Sequence, residues 1–335
     1  MGYHLQSFET LLRTLSEYLN LKDEQCLSLP REAYLSPELH ALELDRIFRH
    51  NWLCVGRAEY IPERGDYYRF DLLDEPLIIV RGEDGEVRAL SNICRHRYMP
   101  LVEGKGRTTR FTCPYHAWTY ASDGRLLAAP YMTGSQCFNK ARCGLPAYRL
   151  ENWSGFLFVN LDDDAAPLAP RMATLNKHIQ NYRVTTQVEI MHYESVWAGN
   201  WKLSAENSME YYHHLGLHKN TVQTQMPASK TCPPSPPADL SFTHQRCGMD
   251  DKYKIADHPM NPKGDLDSFS EVELTTGYMV YVFPAFTMAM RPNANNWLSF
   301  RPDGIESTEV LGGYLVSPEV IAGYPDIAEA RRELI

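Results

Sequence analysis

Residues 92–120 read NICRHRYMPLVEGKGRTTRFTCPYHAWTY, and their two Cys–His pairs are the starting point for the fold. Cys94-x-His96 and Cys113-x-x-His116 are separated by sixteen residues. Each pair falls at a loop tip flanked by strand-like sequence, so two loops can close on one metal centre from opposite sides. Two thiolates and two imidazoles suit a tetrahedral zinc ion. They equally suit a [2Fe–2S] cluster with both thiolates on one iron and both imidazoles on the other. The spacing favours the cluster, because each elbow contributes one residue of each kind, whereas zinc fingers pair Cys with Cys and His with His. Neutral imidazoles in place of thiolate anions raise a cluster's reduction potential. Such a centre accepts electrons and hands them on, so the chain needs a second site or a downstream acceptor.

Around this segment the texture is that of short strands. LIIVRGEDGEVRAL places Asp84-Gly85 between two β-rich runs, a hairpin signal, and Asp123-Gly124 marks a second turn. Residues 47–155 therefore read as a small antiparallel β domain. The first 45 residues read as helical, with Phe8, Leu11, Leu12, Leu15 and Leu19 on one stripe, and residues 42–52 again have a helical period. Beyond Asp162, Asp163 and Asp164 the pattern loosens. Residues 226–268 are rich in Pro, Gly and Asp and read as a long loop. Strands resume near Gly277 as GYMVYVF, FTMAMR, NWLSFR and EVLGGYLVS, an antiparallel meander with a turn at Asp303-Gly304. The class is α+β.

The second constellation lies in NWKLSAENSMEYYHHLGLH, residues 200–218. A helix is expected from about Asn200 through His214. Two histidines and one carboxylate on one face suit Fe(II) and leave positions open for oxygen and substrate. A regular helix favours His214 and His218, at i and i+4, as the chelating pair. His213 and His218 would lie about 140° apart on an ideal helix. Gly216 could loosen the chain so that both converge.

The 335 residues carry 33 basic and 42 acidic side chains, a net charge of −9, which argues against non-specific nucleic-acid binding. No run of about 18 apolar residues is present, so no membrane-spanning helix is expected. Eight cysteines are too sparse for a disulfide scaffold and point to the reducing cytoplasm.

The two motifs together resemble the large (alpha) subunits of Rieske non-heme iron oxygenases, the aromatic ring-hydroxylating dioxygenase family. The first motif, with Pro114, Tyr115 and Trp118, is similar to the Rieske signature, although Tyr98 stands where the family usually has Gly. The second, Asn-Trp-Lys, Glu-Asn, then an acid, two residues, His, four residues and His, is similar to the mononuclear-iron motif. The resemblance implies an antiparallel β Rieske domain (47–155) inserted in a catalytic domain of antiparallel sheet flanked by helices, helix-grip-like, formed by residues 1–46 and 156–335. It implies one [2Fe–2S] cluster on Cys94, His96, Cys113 and His116, and mononuclear Fe(II) on His213 and His218. Glu210 becomes the carboxylate linking the two centres and Asn207 a polar neighbour of the iron. His214 is then a bystander, a partly exposed helical histidine, and Glu206 is structural.

The family's third ligand is an Asp on a C-terminal helix. Asp326 is the candidate here but comes early in the order; the favoured expectation is an Asp beyond a truncated end, with water as a third option. The implied function is a terminal oxygenase component, using O2 and electrons that reach it from NAD(P)H through a separate reductase, with or without a ferredoxin. The absence of a G-x-G-x-x-G motif after a strand agrees with a separate reductase. A homotrimer, or a multiple of it, would bring one subunit's cluster to the next subunit's iron. Substrates in the family are aromatic rings or N-methyl groups of quaternary ammonium compounds. The latter would use a cation–π cage, for which Tyr211, Tyr212, Tyr278, Tyr281, Phe283, Phe286 and Trp297 are candidates, ordinary core packing being the better reading for most. A Rieske electron-transfer or binding protein without oxygenase activity is the alternative.

Overall fold

The computed structural model describes residues 7–132, 134–232, 241–252, 266–292, 294–324, 326, 327 and 329. The chain forms two compact units. One comprises His50–Met191 with Leu315–Ile335, the other Met1–Arg49 with His192–Tyr314.

The first unit is built on a seven-stranded antiparallel sheet. Its strands, in chain order, are β1 (Leu53–Arg57), β2 (Asp66–Leu72), β3 (Glu75–Arg81), β4 (Val87–Ser91), β5 (Lys105–Arg107), β9 (Ala147–Trp153) and β10 (Phe156–Asn160). They are ordered β1-β10-β9-β4-β3-β2-β5. A three-stranded sheet is formed by β6 (Arg110–Thr112), β7 (Thr119–Ala121) and β8 (Leu126–Ala128). Both expected hairpins are present. Gly85 turns β3 into β4 at φ +92°, and Gly124 turns β7 into β8 at φ +88°, conformations glycine adopts without the Cβ penalty. Helix α4 (Leu168–Ile179) packs Leu168, Met172, Leu175 and Ile179 inward at a helical period.

In the second unit the N-terminal helical stretch is interrupted. It forms α1 (Phe8–Tyr18), α2 (Glu32–Leu35) and α3 (Pro37–Arg46). Ser7 and Ser36 cap α1 and α3 with their hydroxyls, and Pro37 occupies the first turn of α3, where its missing N–H costs nothing. The apolar stripe is narrower than expected. Leu11 is buried against Ala33 and Leu39, with Phe8 and Leu15 beside it, while Leu12 and Leu19 face solvent. The helical period of residues 42–52 ends at Arg46, and a 3-10 turn over Phe48–His50 leads into β1.

The six-stranded antiparallel sheet of this unit contains β11 (Val188–Ala198), β12 (Phe242–Gly248), β13 (Thr276–Val282), β14 (Phe286–Arg291), β15 (Ala294–Gly304) and β16 (Ser307–Val316), ordered β11-β16-β15-β14-β13-β12. The expected meander is β13 to β16, its last turn following Gly304. β12 corrects the reading of 226–268 as loop. Phe242 to Gly248 pair in register with Val282 to Thr276, although flanking prolines and few β-branched residues hide the strand in the sequence. Residues 233–240 and 253–265 of that segment lie outside the described residues. No helix among the described residues is long and apolar enough to cross a membrane.

Candidate functional site

The loops following β4 and β6 carry the four Cys and His residues, and they are built alike. In the first, Cys94 N–H donates to Met99 O (2.9 Å) and Tyr98 N–H to Cys94 O (3.0 Å). In the second, Cys113 N–H donates to Trp118 O (2.8 Å) and Ala117 N–H to Cys113 O (3.0 Å). Each turn needs a left-handed residue at its fifth position, and Tyr98 and Ala117 both have φ +55°. This explains why glycine is the usual residue at the first of these. Tyr98 accepts a strain of about 1–2 kcal/mol and points into solvent. The first loop is clipped at its base by Asn92, which is fully buried. Its Oδ1 accepts from the N–H groups of Leu101 (3.1 Å) and Val102 (3.0 Å), and its Nδ2 donates to Val102 O (2.9 Å).

Cys94 and Cys113 are buried in one core with Trp118 and Tyr120. The rings of His96 and His116 are 4.6 Å apart, and His96 stacks on Trp118 at 4.9 Å and 7°. The Tyr120 hydroxyl lies 3.3 Å from Cys94 Sγ and accepts the Arg95 N–H at 3.0 Å. Burial, then the Cys94 thiol, raise the Cys113 thiol, against the opposing pull of the Tyr115 and His116 N–H groups. Burial lowers His96, with His116 and Arg97 acting the same way, which favours the neutral imidazole that a metal binds. The decisive fit is His96 Nδ1, a buried ring nitrogen with no hydrogen-bond partner. A metal resolves that deficit, and N–H groups directed at sulfur suit a coordinated thiolate. Among the described residues no three His, Cys, Asp or Glu side chains are grouped for a single ion. A two-iron cluster does not ask for three, because each iron takes two protein donors. The residues fit a [2Fe–2S] group.

The second constellation departs from the expected helix. Helix α5 (Trp201–Asn207) stops at Ser208, whose hydroxyl donates back to Ser204 O at 2.8 Å. Glu210 is in a loop, and a separate 3-10 turn covers Tyr212–Leu215. Glu210 caps this turn. Its Oε2 accepts the backbone N–H of His213 at 3.0 Å, and its Oε1 accepts His213 Nδ1–H at 2.6 Å. The 3-10 turn over Tyr212–Leu215 and the turn residues after it, in place of a continuous α-helix, leave the His213 and His218 ring centroids 5.2 Å apart. Gly216 itself has φ −102°, open to any residue.

His214 is not partly exposed. It is buried, its Nδ1–H donates to Met226 O at 2.9 Å, and its ring is 5.6 Å from that of His218. Glu206 accepts the Tyr34 hydroxyl at 2.7 Å. On α5, Lys202 and Trp201 both donate to the buried carboxylate of Glu43, at 2.7 Å and 2.9 Å.

His213, His214, His218 and Asn207 line a cavity of about 340 Å³. Its floor is the face of the sheet on which Met279, Ala289 and Asn296 stand side by side in register. Gly277 leaves space there that a Cβ would take from Met226. Of the aromatic candidates, Tyr211 and Tyr278 reach the cavity, joined by Tyr314. Tyr281, Phe286 and Trp297 are core residues, and Tyr212 faces solvent. Asp326 is an exposed residue of the Leu315–Ile335 segment, which belongs to the other compact unit. Sequence reasoning missed Asn92, Tyr120, Glu43 and Arg291. Of these, Tyr120 and Arg291 carried a signal: one lies two residues beyond Trp118, the other shares a period of two with Thr287 and Ala289.

Residues 51–144 match the Rieske [2Fe-2S] domain, and residues 179–334 the catalytic domain of the ring hydroxylating alpha subunit. The chain is 38% identical over 198 residues to the glycine betaine monooxygenase oxygenase subunit of Chromohalobacter salexigens, covering 59% of this chain and 44% of that protein. It is 35% identical over 205 residues to the anthranilate 1,2-dioxygenase large subunit of Acinetobacter baylyi, covering 58% and 43%. The chain thus spans about half the length of the curated relatives it matches. Its fold is shared with naphthalene 1,2-dioxygenase from Rhodococcus sp. (TM-score 0.78, 23% identity, covering 96% of this chain and 80% of that one). It is shared also with a quaternary ammonium Rieske monooxygenase (TM-score 0.75, 22% identity, covering 90% and 80%). With the two Cys–His loops falling in the first match and the Glu210–His213–His218 turn in the second, the chain carries a Rieske [2Fe-2S] domain followed by the catalytic domain of a ring hydroxylating alpha subunit.

Proposed function

We propose that this chain is the oxygenase component of a multicomponent Rieske system. The observation that carries the reading is the presence of two distinct donor sets in one polypeptide, the second opening onto a cavity of about 340 Å³. Cys94, His96, Cys113 and His116 would hold the [2Fe–2S] cluster, and His213 and His218 would hold Fe(II). When bound, the cluster supplies single electrons at a raised potential and the Fe(II) supplies the site of O2 chemistry.

The protein's own contribution is orientation and exclusion of water. Glu210 fixes the tautomer of His213 by accepting its Nδ1–H, which turns Nε2 outward as a donor. His214 does not need to ligate to matter, because its bond to Met226 O ties the turn to the segment that walls the cavity. Val222, Met226, Met279, Ala289 and Leu298 give the cavity an apolar body.

The substrate is a small molecule, either an aromatic ring to be hydroxylated or an N-methyl or other C–H group to be oxidised. Electrons come from NAD(P)H through a separate reductase, with or without a ferredoxin, and the working assembly is a cytoplasmic homotrimer or a multiple of one. The reading is tested by photoreducing the reconstituted chain, mixing it with 18O2 and a panel containing benzoate and glycine betaine, and looking for label in product. Label that disappears in His213→Ala supports it. A second reading, electron transfer without oxygenase activity, has one observation in its favour: no third donor joins His213 and His218 among the described residues. Cluster reoxidation without any labelled product from the full-length protein would select it.

A further inference from the structure

Charge is unevenly spread along this acidic chain. Residues 92–144 carry eight Lys and Arg against two Asp and Glu, while the remainder carries 25 against 40. The two Cys–His loops therefore lie in a basic segment of a protein whose net charge is −9. Both acids of the segment are already engaged, Glu103 by Arg69 and Asp123 by Arg125. Arg95, Arg97, Arg110, Lys140 and Arg142 are exposed and enter no ion pair among the described residues. Arg95 and Arg97 flank His96 in the first loop, and Arg110 begins β6, the strand that leads into the second. Lys140 and Arg142 belong to a 3-10 turn pinned beside the same core, because Phe138 meets Trp118 at 5.6 Å and Cys143 packs there too.

With these cations the two loops expose Tyr98 (78%), Met99 and Tyr115. Tyr98 is the informative one. It holds a left-handed position that glycine would adopt without strain. Among the described residues its ring meets no other ring and its hydroxyl makes no hydrogen bond, so nothing within the chain compensates that strain. Exposed Tyr and Met with an Arg-rich rim have the composition of a protein–protein interface. His116, exposed in the second loop, brings the donor set to this surface.

We propose that this face docks an acidic electron-carrier protein, with Tyr98 as its anchor. The Arg and Lys side chains steer the carrier in, and Tyr98 and Tyr115 pack against it. One electron leaves the carrier, which is oxidised, and enters the cluster, which is reduced; no covalent bond forms or breaks. The assignment rests on reading Cys94, His96, Cys113 and His116 as ligands of an electron-accepting cluster.

The probe is a plant-type [2Fe–2S] ferredoxin, an acidic carrier of about −400 mV, with reduced methyl viologen as the small-molecule control. Binding of the oxidised carrier is read by calorimetry, and cluster reduction by the reduced carrier in stopped flow, on the full chain reconstituted with iron and sulfide. Raising salt from about 0.01 M to about 1 M shortens the Debye length from about 30 Å to about 3 Å. Carrier binding and carrier-driven reduction should both fall on the order of tenfold or more, the scale of electrostatic steering, while the viologen reaction is not slowed. The triple variant Arg110→Glu, Lys140→Glu, Arg142→Glu should do the same at low salt. Tyr98→Gly should raise the midpoint of chemical denaturation yet weaken carrier binding on the order of fivefold or more. A purely structural role would give the first effect without the second. Binding indifferent to salt and to the charge reversals, or unchanged in Tyr98→Gly, would overturn the proposal. So would sedimentation showing that these substitutions dissociate an oligomer of the chain while carrier binding persists, since the face would then belong to a second copy. A chain that forms no cluster yet binds the carrier in this salt-dependent way would refute the oxygenase reading and leave the docking face standing.

Discussion

Glu210 grips His213 twice, by the ring at 2.6 Å and by the backbone N–H at 3.0 Å, so one carboxylate both starts the turn and sets the imidazole's tautomer. Removing it should loosen the turn and the ring together. Glu210→Ala is expected to weaken iron binding by about 10–100-fold, the usual cost of losing a partner behind a ligand. Glu210→Gln keeps an acceptor oxygen and should keep the iron, while electron transfer to it falls about tenfold or more. His213→Ala should lose the mononuclear iron and keep the cluster. His214→Ala should keep both, and loss of iron there instead would make His214 and His218 the chelating pair.

At the other centre, Cys94→Ala or Cys113→Ala should abolish the visible absorption, because an iron is left under-ligated. Tyr120→Phe is a finer probe. It removes only the hydroxyl 3.3 Å from Cys94 Sγ. The cluster should still form, with a reduction potential lower by on the order of 50 mV, one hydrogen bond of about 1 kcal/mol at 59 mV per tenfold for one electron. An unchanged potential by voltammetry would show that the hydroxyl does not act on the thiolate.

The two motifs and the β meander were legible because they depend on local spacing, ligand chemistry and a period of two. The helix break at Ser208 was not. Nothing in SAENSMEYYHH forbids a helix, and the Ser208 and Glu210 side-chain bonds to the main chain that accompany its end cannot be read from spacing. β12 was hidden for another reason: its pairing with β13 is tertiary, and its own residues are weak strand formers. Glu43 and Lys202 are more than 150 residues apart in sequence, so no window could join them.

That pair is expected to matter for stability. Lys202 Nζ and the Glu43 carboxylate are 2.7 Å apart and both largely out of solvent, and burial depresses the lysine's proton affinity against the pull of Glu43. Glu43→Ala leaves a buried ammonium alone and should cost about 3–5 kcal/mol in chemical denaturation. The double variant Glu43→Gln, Lys202→Met should recover most of it, since a matched neutral pair carries no stranded charge.

Acid stability should depend on Asp66. Burial opposes its ionisation, but the Arg107 guanidinium at 2.6 Å and the Glu63 N–H at 2.8 Å outweigh it, holding the carboxyl below the ordinary value of 3.8. A group depressed in the folded state stabilises above its unfolded value and loses that contribution as pH falls through the folded one. The stability gap between the unsubstituted chain and Asp66→Asn should therefore be widest above pH 4 and shrink below it. A gap that stays constant down to pH 2 would mean that the ion pair does not titrate with folding.

The most direct measurement is the iron and acid-labile sulfide content of the full-length protein reconstituted anaerobically with Fe(II) and sulfide. One [2Fe–2S] cluster and one mononuclear site in the same polypeptide require about three irons to two sulfides, falling to two to two in the His213→Ala, His218→Ala double variant with the cluster's spectrum intact. A ratio of two to two before any substitution, or zinc in place of iron and sulfide, would contradict the two-centre account.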